Sequence, residues 1–309
     1  MTPVTKLEGK TMAKQENPFA PRPDLKIWLD GKLVPAENAR ISVYDHALLY
    51  GDGIFEGIRI YNGRIFKEAQ HLERLYISAK SIRLKIPLTP DEVSDAMYET
   101  MRANGITGDG YIRLVVTRGV GSLGISMYKT ANPSLIIIVD KIALYPAEAY
   151  ERGLHCIVSS IARNHCNTTS PRVKSLNYLN NVIAKADAMD LGADEAIMLT
   201  TEGYVSECSG DNIFLVRHGE LLTPPLSMGI LEGVTRELVI ELAKKRGFPV
   251  SERVLIRHDL YACDECFGTG TAAEIVPITR IDGRPVGDGK PGRITKQLAA
   301  DFLEYRNQK

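Results

Sequence analysis

The stretch Pro171-Arg172-Val173-Lys174-Ser175-Leu176-Asn177-Tyr178-Leu179-Asn180-Asn181 sets a lysine just ahead of a helix pattern. Leu176, Leu179, Val182, Ile183 and Ala186 recur at spacings of three and four, the period of one helix face. Pro171 disfavours an earlier start, and Ser175 and Asn177 carry oxygens that can accept from the first free N–H groups. Lys174 is thus expected on an ordered loop at a helix mouth, with Tyr178 sharing its space. A lysine so held is a candidate reactive amine; the same pattern also describes an ordinary solvated lysine.

Further residues decide between these readings. Gly233-Val234-Thr235 opens an amphipathic helix, so its free N–H groups, a hydroxyl and the positive dipole end together favour an anion. Gly268-Thr269-Gly270-Thr271 is a second small-residue turn where backbone can approach a ligand closely. Neither is a Walker sequence or a dinucleotide fingerprint. With an arginine such as Arg74 they outline a phosphate cup. Glu207 ends the strand Tyr204-Val205-Ser206 ahead of Ser209-Gly210, and a carboxylate there must be paired or shift its pKa. One use is to hold a proton on a heterocyclic nitrogen; the plain alternative is a surface glutamate before a turn. Cys263 and Cys266 form a C-x-x-C without a second ligand pair, so the plainer reading is two cysteines near a buried strand, not zinc or a redox pair.

The elements that must position these residues follow from the chain in order. Residues 1–24 are rich in Pro, Lys and polar types and read as a mobile arm, with Met12 a second candidate start. Lys26 to Val34 and Ile58 to Phe66 read as hairpins about Asp30-Gly31 and Asn62-Gly63. Helices are expected over His71 to Leu84 and Pro90 to Ala103, then strands Tyr111 to Thr117 and Ser134 to Val139; alternation puts Tyr111 and Arg113 on one face. Residues 25–139 form a small α/β domain, and 140–148, with Pro146, an interdomain loop. Residues 149–309 form a larger domain: strands at His155 to Ile161, Glu195 to Thr200, Gly203 to Glu207 and Asn212 to Arg217, the helix that follows Lys174 and runs to about Leu191, and a last helix from Ile294 to Arg306. The class is α+β.

Composition bounds the partners. Basic and acidic residues number 38 each, so no nucleic-acid surface or polybasic anchor is indicated. The apolar run Leu135 to Val139 is far too short to span a bilayer. With no apolar leader and an odd five cysteines, a reducing, cytoplasmic setting is expected.

Lys174 with Asn177-Tyr178, Val205-Ser206-Glu207 with Asn212-Ile213-Phe214, Gly233-Val234-Thr235-Arg236 and Gly270-Thr271-Ala272-Ala273-Glu274 resemble, in order and spacing, the fold-type IV pyridoxal-phosphate aminotransferases, the D-amino acid aminotransferase-like fold. Tyr50-Gly51, Phe55-Glu56-Gly57-Ile58-Arg59 and Tyr111-Ile112-Arg113 narrow this to the branched-chain branch. The resemblance runs from about Lys26 to the end. It implies Lys174 as the lysine that bonds the cofactor aldehyde and moves the substrate proton. It implies Glu207 at the pyridine nitrogen, Tyr178 at O3′, and Arg74, Val234, Thr235 and Thr271 around the phosphate. Tyr50, Phe55, Arg59, Tyr111 and Arg113 would wall the substrate pocket, Tyr50 reaching in from the partner of a homodimer or larger assembly. The Thr271-Ala272-Ala273 turn would offer N–H groups to the substrate carboxylate. The implied reaction exchanges amino groups between Leu, Ile or Val and 2-oxoglutarate, with biosynthesis of branched-chain amino acids as the setting.

Tyr50-Gly51-Asp52-Gly53 also resembles the D-amino acid aminotransferases, but their Arg-x-His trap is replaced here by Arg118-Gly119-Val120-Gly121. Aminodeoxychorismate lyase shares the cofactor site and performs elimination; Arg59 with Arg113 fits the branched-chain pattern instead. A cofactor-free scaffold on the same fold is a reading of another class. Two departures stand out: a Lys174–Asn177 spacing one residue shorter than in some relatives, and Cys208 where Gly is frequent.

Overall fold

A computed structural model describes residues 22–142 and 144–308. The expected arm therefore lies outside the described residues up to position 21; Arg22 pairs with Asp140 at 3.1 Å. Two sheets organise the chain, the first ending with Leu135–Asp140 and the second beginning with Leu154–Val158. The helix Ala147–Arg152 lies between them, so the last two residues of the expected loop are helical.

The first sheet is antiparallel throughout. Its order is Lys32–Pro35, Lys26–Leu29, Leu135–Asp140, Gly110–Thr117, Gly53–Tyr61, Arg64–Ile65. One face alternates Ile54, Ile58, Ile60, Ile112, Leu114, Val116, Ile137 and Val139, all fully buried, against the helices Glu68–Ser81 and Pro90–Ala103. The second helix begins where its Thr89/Glu92 capping box puts it. The opposite face carries Phe55, Gly57, Tyr111, Arg113 and Val115, which alternation leaves free to line a site.

The second sheet is mixed, with nine strands. From one edge it runs Val205–Cys208, Glu195–Leu199, Leu154–Val158, Glu274–Ile281, Glu265–Gly270, Asn212–Arg217, Glu220–Thr223, Val250–Glu252, and Arg284–Pro285 pairs with Glu274–Ile281. Helices Val234–Lys245 and Arg293–Asn307 pack over Phe214, Phe267 and Ile275. Cys156, Cys208, Cys263 and Cys266 all lie in the core of this half, and burial pushes the thiols of Cys156, Cys208 and Cys266 well above their ordinary range. Among the described residues no group of His, Cys, Asp and Glu could hold a metal, and no helix is long and apolar enough to cross a membrane.

One expectation is corrected. The helix after Lys174 is Leu179–Asp190, and its N-cap, Tyr178, makes no side-chain cap bond. Residues 174–176 are instead stitched to the first sheet: Phe55 N donates to Lys174 O at 2.9 Å and Leu176 N to Gly53 O at 3.0 Å. The Asn177 amide donates to Gly51 O at 2.9 Å. The buried face of the helix is Asn181, Ala184 and Ala188, while Leu179, Val182 and Ile183 point outward. The apolar period was real, but it marks a face this chain leaves uncovered.

Candidate active site

The two sheets meet across a cleft of about 430 Å³. Lys174 enters it from the segment pinned to Gly53–Tyr61, so a neighbouring strand fixes its position. Its Nζ donates to Tyr178 Oη at 3.1 Å and lies 4.5 Å from the Phe55 ring centre. Phe55 and Tyr178 meet edge to face with centres 5.0 Å apart. The amine thus sits against aromatic surface with one hydroxyl partner and no carboxylate among the described residues.

Glu207 stands in the same cleft at the edge strand of the second sheet. Arg163 donates to its Oε1 through Nε at 2.9 Å and Nη2 at 2.9 Å. Asn212 Nδ2 and Leu231 N each donate to Oε2 at 2.9 Å. All four partners are N–H donors, so the buried side chain presents an acceptor carboxylate. Arg163 and Asn212 are the functional residues that sequence reasoning missed. The signal was indirect: a glutamate in an apolar strand requires a cation within reach, and Arg163 was a candidate after the strand Leu154–Val158.

Arg74 reaches the cleft from the helix Glu68–Ser81. Its Nε and Nη2 grip Glu56 at 2.7 and 2.8 Å, and Nη1 donates to Glu232 O at 2.7 Å. His71 Nδ1 lies 2.9 Å from the same carboxylate. Burial alone would raise the Glu56 pKa; Arg74 and then His71 overcome it and hold the carboxyl well below its usual range. Three of five guanidinium N–H groups are used, leaving two for an anion in the cleft. Beside it, Val234 and Thr235 begin the helix Val234–Lys245, whose cap, Gly233, makes no side-chain bond, so first-turn N–H groups remain available. Thr269 Oγ1 is buried without a partner among the described residues.

The opposite wall is Phe55, Tyr111, Arg113 and Val115. Gly57 is required there, since a Cβ would fall 2.0 Å from the Tyr111 hydroxyl. Arg113 stacks on Phe55 at 4.7 Å and on Tyr111 at 5.7 Å and has no acidic partner among the described residues. Thr271 and Ala272 complete the lining.

Three sequence candidates lie elsewhere. Arg59 is turned along the same strand face past the cleft, over the Tyr61 ring at 5.2 Å and 3.5 Å from Glu274. Ala273 is in the core of the second half. Tyr50 sits outside its own cleft, half-exposed, accepting from Gly124 N at 2.7 Å.

Residues 53–281 match the family model described as Amino-transferase class IV. A putative branched-chain-amino-acid aminotransferase of Methanocaldococcus jannaschii is 49% identical, over 92% of this chain and 97% of that protein. The branched-chain aminotransferase of Thermoproteus uzoniensis, solved with norvaline, superposes with a TM-score of 0.85 at 42% identity, over 91% and 94% of the two chains. The branched-chain amino acid aminotransferase of Thermobaculum terrenum, solved in its PLP form, gives a TM-score of 0.84 at 35% identity, over 92% and 94%.

Proposed function

The chain belongs to the class IV aminotransferases, in their branched-chain branch, and from that premise we propose that it exchanges amino groups between L-leucine, L-isoleucine or L-valine and 2-oxoglutarate using pyridoxal 5'-phosphate. One observation carries the reading: Lys174, Glu207 and the open helix start at Val234 converge on a single cleft. The donor set fits the cofactor. Arg74, the Val234–Thr235 turn and Thr271 suit a phosphate, the orphan Thr269 hydroxyl sits in the same lining, and Glu207 is an acceptor for a ring N–H. When bound, pyridoxal phosphate supplies the electron sink that stabilises a carbanion at the substrate Cα.

The protein's own residues do the rest. Lys174 would hold the cofactor aldehyde, and its amine is placed to move the substrate Cα proton as a general base and then acid. Tyr178 fixes the amine through its hydroxyl, and Phe55 limits its solvation. Glu207, held by Arg163 and Asn212, would accept from the cofactor's ring N–H and so favour its protonated form. Phe55, Tyr111 and Val115 accept an aliphatic side chain, while Arg113 is suited to the distal carboxylate of 2-oxoglutarate or glutamate. Backbone N–H groups of the 271–272 turn are suited to the α-carboxylate. Arg118 is unsuited to the D-specific trap, because Asp52 and the carbonyls of Ile82 and Arg83 engage its guanidinium.

Tyr50 supports a homodimer as the active unit, since it lies outside its own cleft, and Val43, Tyr44 and Leu48 just before it in the chain are exposed apolar residues as well. Free thiols at all five cysteines fit a cytoplasmic setting, and the proposed reaction fits branched-chain amino acid biosynthesis. The test is the visible spectrum of the holoenzyme. L-leucine should bleach the cofactor band and 2-oxoglutarate restore it. Bleaching by D-alanine alone would overturn the L-specific reading.

A further inference from the structure

Behind the cleft floor lies a polar cluster that the reaction as described does not use. Glu195 is buried in the strand Glu195–Leu199 and is fully supplied with donors. Lys185 Nζ reaches its Oε2 at 2.8 Å, Tyr145 Oη the same oxygen at 3.1 Å, and Ala196 N and Ser209 Oγ reach Oε1. Asp211 is also buried and, unlike Glu195, lines the cleft. The only hydrogen-bond partner of its carboxyl among the described residues is Tyr145 Oη, 3.5 Å from Oδ2. Its Oδ1 faces the backbone of Gly270, where an added Cβ would fall 2.0 Å away. Tyr145 has one proton, and the shorter contact gives it to Glu195. For Asp211 to meet the phenol oxygen favourably, Asp211 must supply the second proton.

We propose that Asp211 works as a neutral acid in the cleft floor, its proton shared with Tyr145, and that this neutrality lets the 270–272 turn receive an anionic substrate carboxylate. The inference rests on the transaminase reading and deepens it by naming a positioning residue. The surroundings agree. Burial first, then the charge of Glu195, and in smaller part Glu207, push the Asp211 carboxyl up to about 7 against the pull of Lys185; a proton donated by Tyr145 would lower it too, but the shorter contact of that hydroxyl is to Glu195. The remaining titratable groups beside it are Cys156 and Cys208, kept as thiols by burial, and Tyr150, raised to about 12. Lys185 is the cation of this set, and Glu195 holds it. Ionised, Asp211 would put an uncompensated negative charge beneath the turn, with Glu207 close by.

The consequence is a pH-dependent affinity. If the protonated form binds the carboxylate better, KM should climb as pH rises past about 7, by at most about tenfold per unit until the ionised form's own affinity takes over. Steady-state kinetics of the holoenzyme, with 2-oxoglutarate varied at saturating L-leucine and 4-methyl-2-oxopentanoate varied at saturating L-glutamate, reads this in the KM of an acceptor that has no amine of its own to titrate. Wild type should show the climb in KM, with a weaker trend in kcat, and D211N should lose it. Infrared spectroscopy of the wild-type protein supplies a readout independent of turnover: a protonated buried carboxyl band should fade as pH rises through about 7. Parallel KM profiles for wild type and D211N would overturn the inference, as would absence of that band below pH 6 (about one unit under the Asp211 value). Absence of any amino transfer would instead overturn the functional reading, and the infrared result tells the two failures apart.

Discussion

Two buried arginine–carboxylate pairs flank the same cleft and present opposite faces to it. On the side of the first sheet, Glu56 is fully buried and Arg74 is the member that lines the cleft. On the side of the second, Glu207 lines the cleft, with Arg163 and Asn212 holding its oxygens. The chemistry within each pair is alike. What differs is which partner keeps hydrogen-bonding capacity toward the cleft: Arg74 has two N–H groups left for a phosphate, whereas Arg163, which also borders the cleft, is engaged by Glu207 and Asn181, so the second pair offers its carboxylate to a protonated ring nitrogen. A buried ion pair is weak evidence for stability by itself; here each pair aims a charge that would otherwise be too costly to bury.

The widest test of this contrast removes the group between the pairs. Lys174→Ala should cut turnover by about 10⁴-fold, since it deletes the proton-transfer base, while leaving the melting temperature and non-covalent cofactor binding close to wild type. A large fall in stability would mean that the lysine is part of the scaffold. Glu207→Gln keeps shape and removes charge; kcat should fall by about 10²–10³-fold, the scale for one preorganised electrostatic group, read in single-turnover bleaching with L-leucine. If Glu56→Gln slowed that step equally, the two pairs would not have the separate roles assigned here.

Glu56→Gln is expected to act on stability, costing about 3–5 kcal/mol because Arg74 is left buried without its counter-charge. Its pH dependence has a definite sign. The folded-state pKa of Glu56 lies below the ordinary 4.5, so its contribution is present above about pH 4.5 and is lost as pH falls through the folded value. Acid unfolding followed by circular dichroism should therefore be steeper in wild type than in the variant. The smallest effect is one of selectivity. Arg113→Met should raise KM for 2-oxoglutarate by about 10–100-fold, the scale of a charge-assisted hydrogen bond, and leave KM for L-leucine within a few-fold. Equal losses for both substrates would show Arg113 to be a general wall residue.

Much of this was legible before folding. Pro90-Asp91-Glu92 after Thr89 carries its own helix start, and alternation along Tyr111-Ile112-Arg113 puts two side chains on the cleft face, as observed. Where the sequence misled, a local signal met a non-local competitor. The apolar period at Leu176 and Leu179 predicted a helix starting just after Lys174, but hydrogen bonds to Gly53 and Phe55, more than a hundred residues away, pin residues 174–176 to the first sheet and delay the helix to Leu179. Arg59 and Arg113 look equivalent as strand arginines two cross-strand pairs apart; only the packing of the C-terminal helix and Glu274 beside Tyr61 draws Arg59 away.

The sequence by itself determined the residue types that can do the chemistry, the α+β class and most strand and helix positions, because propensity, capping and periodicity act within a few residues. Tertiary structure decided which charge faces the cleft, that Arg163 neutralises Glu207, and that among the described residues the Asp211 carboxyl meets only Tyr145. Those are matters of distance and desolvation between segments far apart in the chain, and a carboxylate's character is set by its neighbours in space.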